Sequence, residues 1–145
     1  MFKNQRILLS ICFGVLFFIV MLLVVFGKTS SFERMIYDAI ISCRNDFFDF
    51  YFTTVTKFAN TSIIVLVVIL FVIIVRNRHA LFLVVSSIDC FLLTIIFKHL
   101  IGRSRPTELK LIEQGGYSFP SGHTMFAVCV YGYLFYLAIT KIKNK

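Results

Sequence analysis

The chain is short of charge. Asp, Glu, Lys and Arg make up 15% of its 145 residues, and 59% are hydrophobic; a soluble domain carries about 25% charged and about 45–50% apolar residues. Proline is scarce too, occurring only as Pro106 and Pro120. Neither lies inside an apolar run, so no proline kink is written into any of them. Four cysteines, Cys12, Cys43, Cys90 and Cys129, include no C-x-x-C pair, which argues against a zinc site or a disulfide framework. Three of them fall in apolar stretches, where a cysteine serves as a small apolar filler. No small-x-small pattern closes the first apolar run, 7–27, whose 21 residues exceed the about 7–15 of a signal-peptide core; it reads as a retained span. The net charge is +8, but the cations form no basic stripe, which argues against nucleic acid as a partner. An anionic lipid or an anionic substrate remains.

What is present is hydrocarbon-soluble chain. Four blocks, 7–27, 58–75, 80–97 and 121–140, run for 18 to 21 residues each, about 27–31 Å as helix, which matches a bilayer core of roughly 30 Å. The expected fold is an all-α integral membrane bundle of four spans in one domain, 1–145. Between the first two blocks, Phe32, Met35, Ile36, Ala39, Ile40, Cys43 and Phe47 recur at helical spacing, with Glu33, Arg34, Asp38, Arg44 and Asp46 on much of the other face. This predicts a helix over 31–49 that lies in the interface or packs as a satellite on the bundle.

The N-terminus, the turn 76–79 and the tail hold seven cations and no acid. Short acid-free loops rich in Lys and Arg are the cytoplasmic ones. Both termini are then expected inside, and the loop 98–120 outside a cell membrane. Asp89 stands in mid-block, where a charge costs about 2.5–3.5 kcal/mol on insertion scales. Ser86 shares its helical face. Two roles are open to Asp89, a carboxylate supporting a site or a local structural hydrogen bond.

Two segments carry chemistry. Lys98 ends the third block, Gly102 allows the helix to stop, and Arg105 precedes Pro106, which biases it to extended backbone. A helix-end ammonium and a guanidinium on a stiff segment can grip one phosphate from two directions; alone, they could equally be headgroup-level charges that snorkel. After a 13-residue connection from Pro106 comes Pro120-Ser121-Gly122-His123, at the start of the fourth block. Ser121 suits an N-cap, Gly122 permits close approach of a ligand to the backbone, and the first-turn N–H groups form an anion seat. His123 sits in that turn.

Lys-x6-Arg-Pro over 98–106, followed by Pro-Ser-Gly-His over 120–123, resembles the signature of the type-2 phosphatidic acid phosphatase superfamily, membrane lipid phosphatases related to vanadium haloperoxidases. The resemblance implies that Lys98, Arg105, Ser121 and Gly122 hold phosphate oxygens, that Pro106 and Pro120 shape the two motifs, and that His123 is the general acid that protonates the leaving oxygen. No metal or other cofactor is implied. The substrates would be lipid phosphates at the outer headgroup level, such as polyprenyl diphosphates (undecaprenyl diphosphate among them), phosphatidic acid or phosphatidylglycerophosphate.

The third motif of that family, Ser-Arg-x5-His-x3-Asp, supplies the nucleophilic His and the Asp that orients it. No His, Asp or Arg follows His123 here, and the family core normally has six spans. The expectation is therefore a truncated phosphatase, inactive alone in this form. The alternatives are a non-catalytic lipid-phosphate-binding protein, or a half completed by self-association or by a complementing chain. Of the other histidines, His79 falls on the opposite side, and His99 would need Glu108 or Glu113 to orient it.

Overall fold

A computed structural model describes residues 3–106 and 114–143. It is all-helical over those residues, and it divides into two units, 1–44 and 45–145. In the first unit, α1 (Lys3–Val25) is a candidate membrane span whose apolar side chains, from Ile7 to Val25, are largely exposed. That is the pattern of a helix whose solvent is lipid. Gly27, at φ +65°, turns the chain, and the Ser30 hydroxyl donates to the Gly27 carbonyl at 2.9 Å. α2 (Ser30–Ser42) follows.

The second unit opens with α3 (Asp46–Phe58). One helix over 31–49 was expected; instead the chain breaks at 43–45. Asn45 is extended there, and its side chain caps α3 by accepting from the Phe48 N–H at 3.0 Å, as Asn does at helix starts. In α3, Phe47 stacks on Tyr51 and Phe48 on Phe52, with ring centroids 6.4 and 6.1 Å apart.

The second apolar block also differs from expectation. α4 (Thr61–Val75) has 15 residues, about 22 Å of rise, too short to cross a core of roughly 30 Å alone. It forms a bent pair with α3, at 47°. The bend needs no proline, because Asn60 takes an extended conformation (φ −66°, ψ 140°) that interrupts the helix. Along the axis of α4 the pair rises about 36 Å, the same as the 24 residues of the next helix at about 1.5 Å each. The freed Phe58 carbonyl at the break accepts a hydrogen bond from the Tyr131 hydroxyl at 2.7 Å, which satisfies one of the orphan groups of a helix end.

After a tight turn with Arg76 left-handed (φ 44°), α5 (Arg78–Ile101) runs the length of the unit. The fourth block forms α6 (Gly122–Phe126), a π-helical turn (Ala127–Tyr131) and α7 (Gly132–Lys143), and Gly122–Thr140 is a candidate span. Among the described residues there are thus three helices long and apolar enough to cross a membrane, or four with the bent pair counted as one. A Cβ on Gly122 would lie 3.7 Å from Thr94 Cγ2, and Cys129 Sγ meets the Ser86 carbonyl at 3.5 Å. Rising numbers on one side meet falling numbers on the other, so α5 and the last span are antiparallel. The buried core between α4, α5 and the last span is small: Ile64, Leu83, Cys90, Phe126 and Val130. A bundle dissolved in hydrocarbon needs no larger one, since lipid and core are equally apolar.

Candidate active site

Lys98, Arg105, Pro106, Pro120, Ser121, Gly122 and His123 all lie in the second unit, where α5 ends and α6 begins. α5 carries Cys90, Thr94 and Lys98 at i, i+4, i+8, one stripe of the helix. Cys90 and Thr94 are buried, and Thr94 Cγ2 lies 3.7 Å from where a Cβ on Gly122 would sit, so the stripe faces the start of the last span. Lys98 is its outermost member. α5 stops at Gly102, left-handed at φ +61°, whose N–H closes on the Lys98 carbonyl at 2.9 Å. This is the glycine C-cap expected from the sequence, and at positive φ only glycine is free of strain.

The loop beyond it has two described limbs, 102–106 and 114–121, and they are tied side by side. The Ser118 N–H donates to the Arg103 carbonyl at 2.8 Å, and the Ser118 hydroxyl reaches the Arg103 and Ser104 carbonyls at 3.1 and 2.9 Å. The two cations then converge on neighbouring peptide groups of the second limb. Lys98 Nζ donates to the Tyr117 carbonyl, and Arg105 Nε donates to the Gly116 carbonyl at 3.1 Å. Gly116 is left-handed at φ +71°, which turns the limb beneath Arg105. Each cation retains further N–H donors beyond the one used, because an ammonium carries three and a guanidinium five.

The limb then passes through a cis Phe119–Pro120 bond into Ser121. Ser121 is extended, and its Oγ accepts from the Thr124 N–H at 3.4 Å and the Thr124 hydroxyl at 3.2 Å; it is the N-cap that the sequence suggested. Gly122 and His123 occupy the first turn, and His123 is half-buried. Pro106 is exposed at the end of the first limb. Lys98 and Arg105 are thus brought to one turn, at Gly116 and Tyr117, and that turn leads within seven residues to Ser121, Gly122 and His123.

Sequence reasoning missed Ser118 and the Gly116–Tyr117 carbonyls, which draw the two motifs together. The glycine pair Gly115-Gly116 was the available signal. His99 sits edge-on to the Tyr117 ring, with centroids 5.6 Å apart. Glu108 and Glu113, the carboxylates weighed as its partners, lie outside the described residues. His79, at the far end of α5, pairs through Nδ1 with the Tyr133 hydroxyl at 3.0 Å. Among the described residues no group of three or more His, Cys, Asp or Glu side chains could hold a metal ion.

A family model described as the PAP2 superfamily matches residues 79–145. Phosphatidylglycerophosphatase B of Bacillus subtilis (strain 168) is 42% identical over 48 residues, which is 33% of this chain and 24% of that protein. A crystal structure described as the first transmembrane PAP2-type phosphatidylglycerolphosphate phosphatase from Bacillus subtilis superposes with a TM-score of 0.70 at 25% identity, covering 85% of this chain and 66% of that one. The chain therefore matches about a quarter of the first relative and about two thirds of the second.

Proposed function

We propose that this chain, whose residues 79–145 match the PAP2 superfamily model, belongs to a membrane phosphatase of lipid phosphates and that its loop end is the phosphate seat. Lys98 and Arg105 hold the phosphate oxygens with the N–H groups of the first turn after Ser121. His123 is the general acid, within reach of the oxygen that leaves. Four features serve a metaphosphate-like transition state: a point charge, a planar fork, a capped helix start and a proton donor. Positioning and charge stabilisation carry most of the barrier reduction in phosphoryl transfer. The loop faces away from the cytosol, because the acid-free cation clusters sit at the other ends of the spans.

The observation that carries this reading is the convergence of Lys98 and Arg105 on the adjacent carbonyls of Tyr117 and Gly116. A phosphate that displaces those carbonyls meets both cations at once. The group that attacks phosphorus is not among these 145 residues: His123 is the acid, His79 is engaged at the opposite end of α5, and His99 packs on Tyr117. Residues 1–145 alone then bind a lipid phosphate without turning it over.

The test uses the purified chain in lipid nanodiscs with dioctanoyl phosphatidic acid, following binding and phosphate release together. The expected result is saturable binding, weakened at least about 10-fold in Lys98→Ala and in Arg105→Ala, with no phosphate released. Absence of binding would overturn the seat. Phosphate release that His123→Ala abolishes would overturn the assignment of the nucleophile to residues outside this chain.

A further inference from the structure

Directly below the seat, between α5 and the last span, lies a groove of about 440 Å³ lined by Ser86, Asp89, Cys90, Leu93, Thr124, Met125, Val128 and Cys129. That volume is in the range of a small-molecule site, roughly 300–1,000 Å³. Its walls are mainly hydrocarbon and sulfur, and Asp89 is the one acidic group on them. Thr124 belongs to both groove and seat: it lines the former and hydrogen-bonds through its N–H and hydroxyl to the Ser121 cap of the latter. Thr124 is the link between the two.

Depth decides what passes Asp89. Thr94 marks the level of Gly122, and Asp89 is five residues below it on α5, about 7.5 Å deeper. A molecule whose phosphate occupied the seat would lay its next few bonds along Leu93 and Met125 and reach the level of Asp89 soon after. In an isoprenyl phosphate those bonds are unbroken hydrocarbon. In a glycerol-based lipid they include an ester or a hydroxyl. Hydrocarbon against a carboxyl group at this depth leaves it without a partner, at a cost. A carboxyl group can serve either alternative, accepting from a hydroxyl or donating its own O–H to an ester carbonyl.

We infer that Asp89 is a specificity-determining residue: the groove takes the glycerol end of a glycerol-based lipid phosphate, and Asp89 hydrogen-bonds to its ester or hydroxyl group, so that such lipids are preferred to isoprenyl phosphates. The inference rests on the reading of Ser121–His123 as a phosphate seat. It assigns a use to a residue that the phosphate chemistry leaves idle, and it explains why an acid stands in the middle of a span otherwise free of acids.

The test measures affinities for dioctanoyl phosphatidic acid, oleoyl lysophosphatidic acid and geranylgeranyl phosphate in nanodiscs, for the wild-type chain, Asp89→Leu and Asp89→Asn. Inorganic phosphate is measured on the wild-type chain. The wild type is expected to prefer the glycerol lipids by about five- to tenfold, the size of one net hydrogen bond. Asp89→Leu should erase that ratio, while Asp89→Asn, which keeps a donor and an acceptor, should retain most of it. Whichever of the two glycerol lipids loses more in Asp89→Leu identifies the ester or the hydroxyl as the group recognised. An unchanged ratio in Asp89→Leu, or an equal loss for all three lipids, would overturn the inference while leaving the seat intact. Failure of the wild type to bind inorganic phosphate and all three lipids would instead bring down the seat, and the inference with it.

Discussion

The two ends of α5 are built from the same parts and differ in what those parts meet. At the turn end, Asn77 caps α5 by accepting from the His79 N–H at 2.8 Å, a histidine sits in the first turn, and Arg76 and Arg78 flank the cap. At the loop end, Ser121 caps the last span, His123 sits in the first turn, and Lys98 and Arg105 stand near. Yet His79 is taken by the Tyr133 hydroxyl, and the connection at the turn end is too short to offer a second limb. At the loop end two limbs are stitched by Ser118, and both cations reach onto one of them. A cap, a histidine and positive charge thus recur at both ends; a second limb of backbone that gathers the cations is what separates them.

The largest effect that sharpens this contrast is charge removal. Lys98→Ala or Arg105→Ala should weaken binding of dioctanoyl phosphatidic acid about 10- to 100-fold, the range for a lost charge-assisted hydrogen bond, whereas Arg78→Ala should change it by less than about twofold. Equal losses at both ends, measured in the same nanodiscs, would mean that net charge rather than convergence does the binding. Next in size is Gly102→Ala. A side chain at φ +61° costs about 1–2 kcal/mol, so thermal unfolding in detergent should move down, and binding should weaken as the first limb is redirected; an unaltered melting temperature would contradict the left-handed cap. The finest comparison sets the caps against each other. Ser121→Ala and Asn77→Ala should each cost about 1 kcal/mol of stability, but only Ser121→Ala should also lower affinity. A matching loss of affinity in Asn77→Ala would erase the distinction between the ends.

Much of this was legible before any coordinates. The spacing Lys98 to Pro106 and the run Pro120 to His123 marked the two segments that meet at one loop, and Gly102 and Ser121 declared a helix stop and a helix start through backbone freedom and capping chemistry that depend on neighbours in sequence alone. All-α architecture followed from block length. What the sequence did not disclose was long-range pairing. Ser118 is an ordinary loop serine until the Arg103 and Ser104 carbonyls lie beside it. Asn60 breaks the second span without proline, because an extended Asn ends a helix as surely as a missing N–H. The helix expected over 31–49 was read through Asn45, whose side chain suits a cap as well as a polar face; the apolar period ran on across it and hid the break. Asp89 showed its cost in the sequence but not its purpose, because the groove beside it forms only when α5 meets the last span.

The most direct test is a cryo-electron microscopy structure of the chain in nanodiscs with orthovanadate, a tetrahedral stand-in for phosphate. The account predicts one vanadate, with Lys98 Nζ, the Arg105 guanidinium and the N–H groups of the turn at Gly122–His123 all within hydrogen-bonding distance of its oxygens, and the Gly116 and Tyr117 carbonyls released. A vanadate held by only one of the cations, or bound at the Arg76–His79 turn instead, would contradict it.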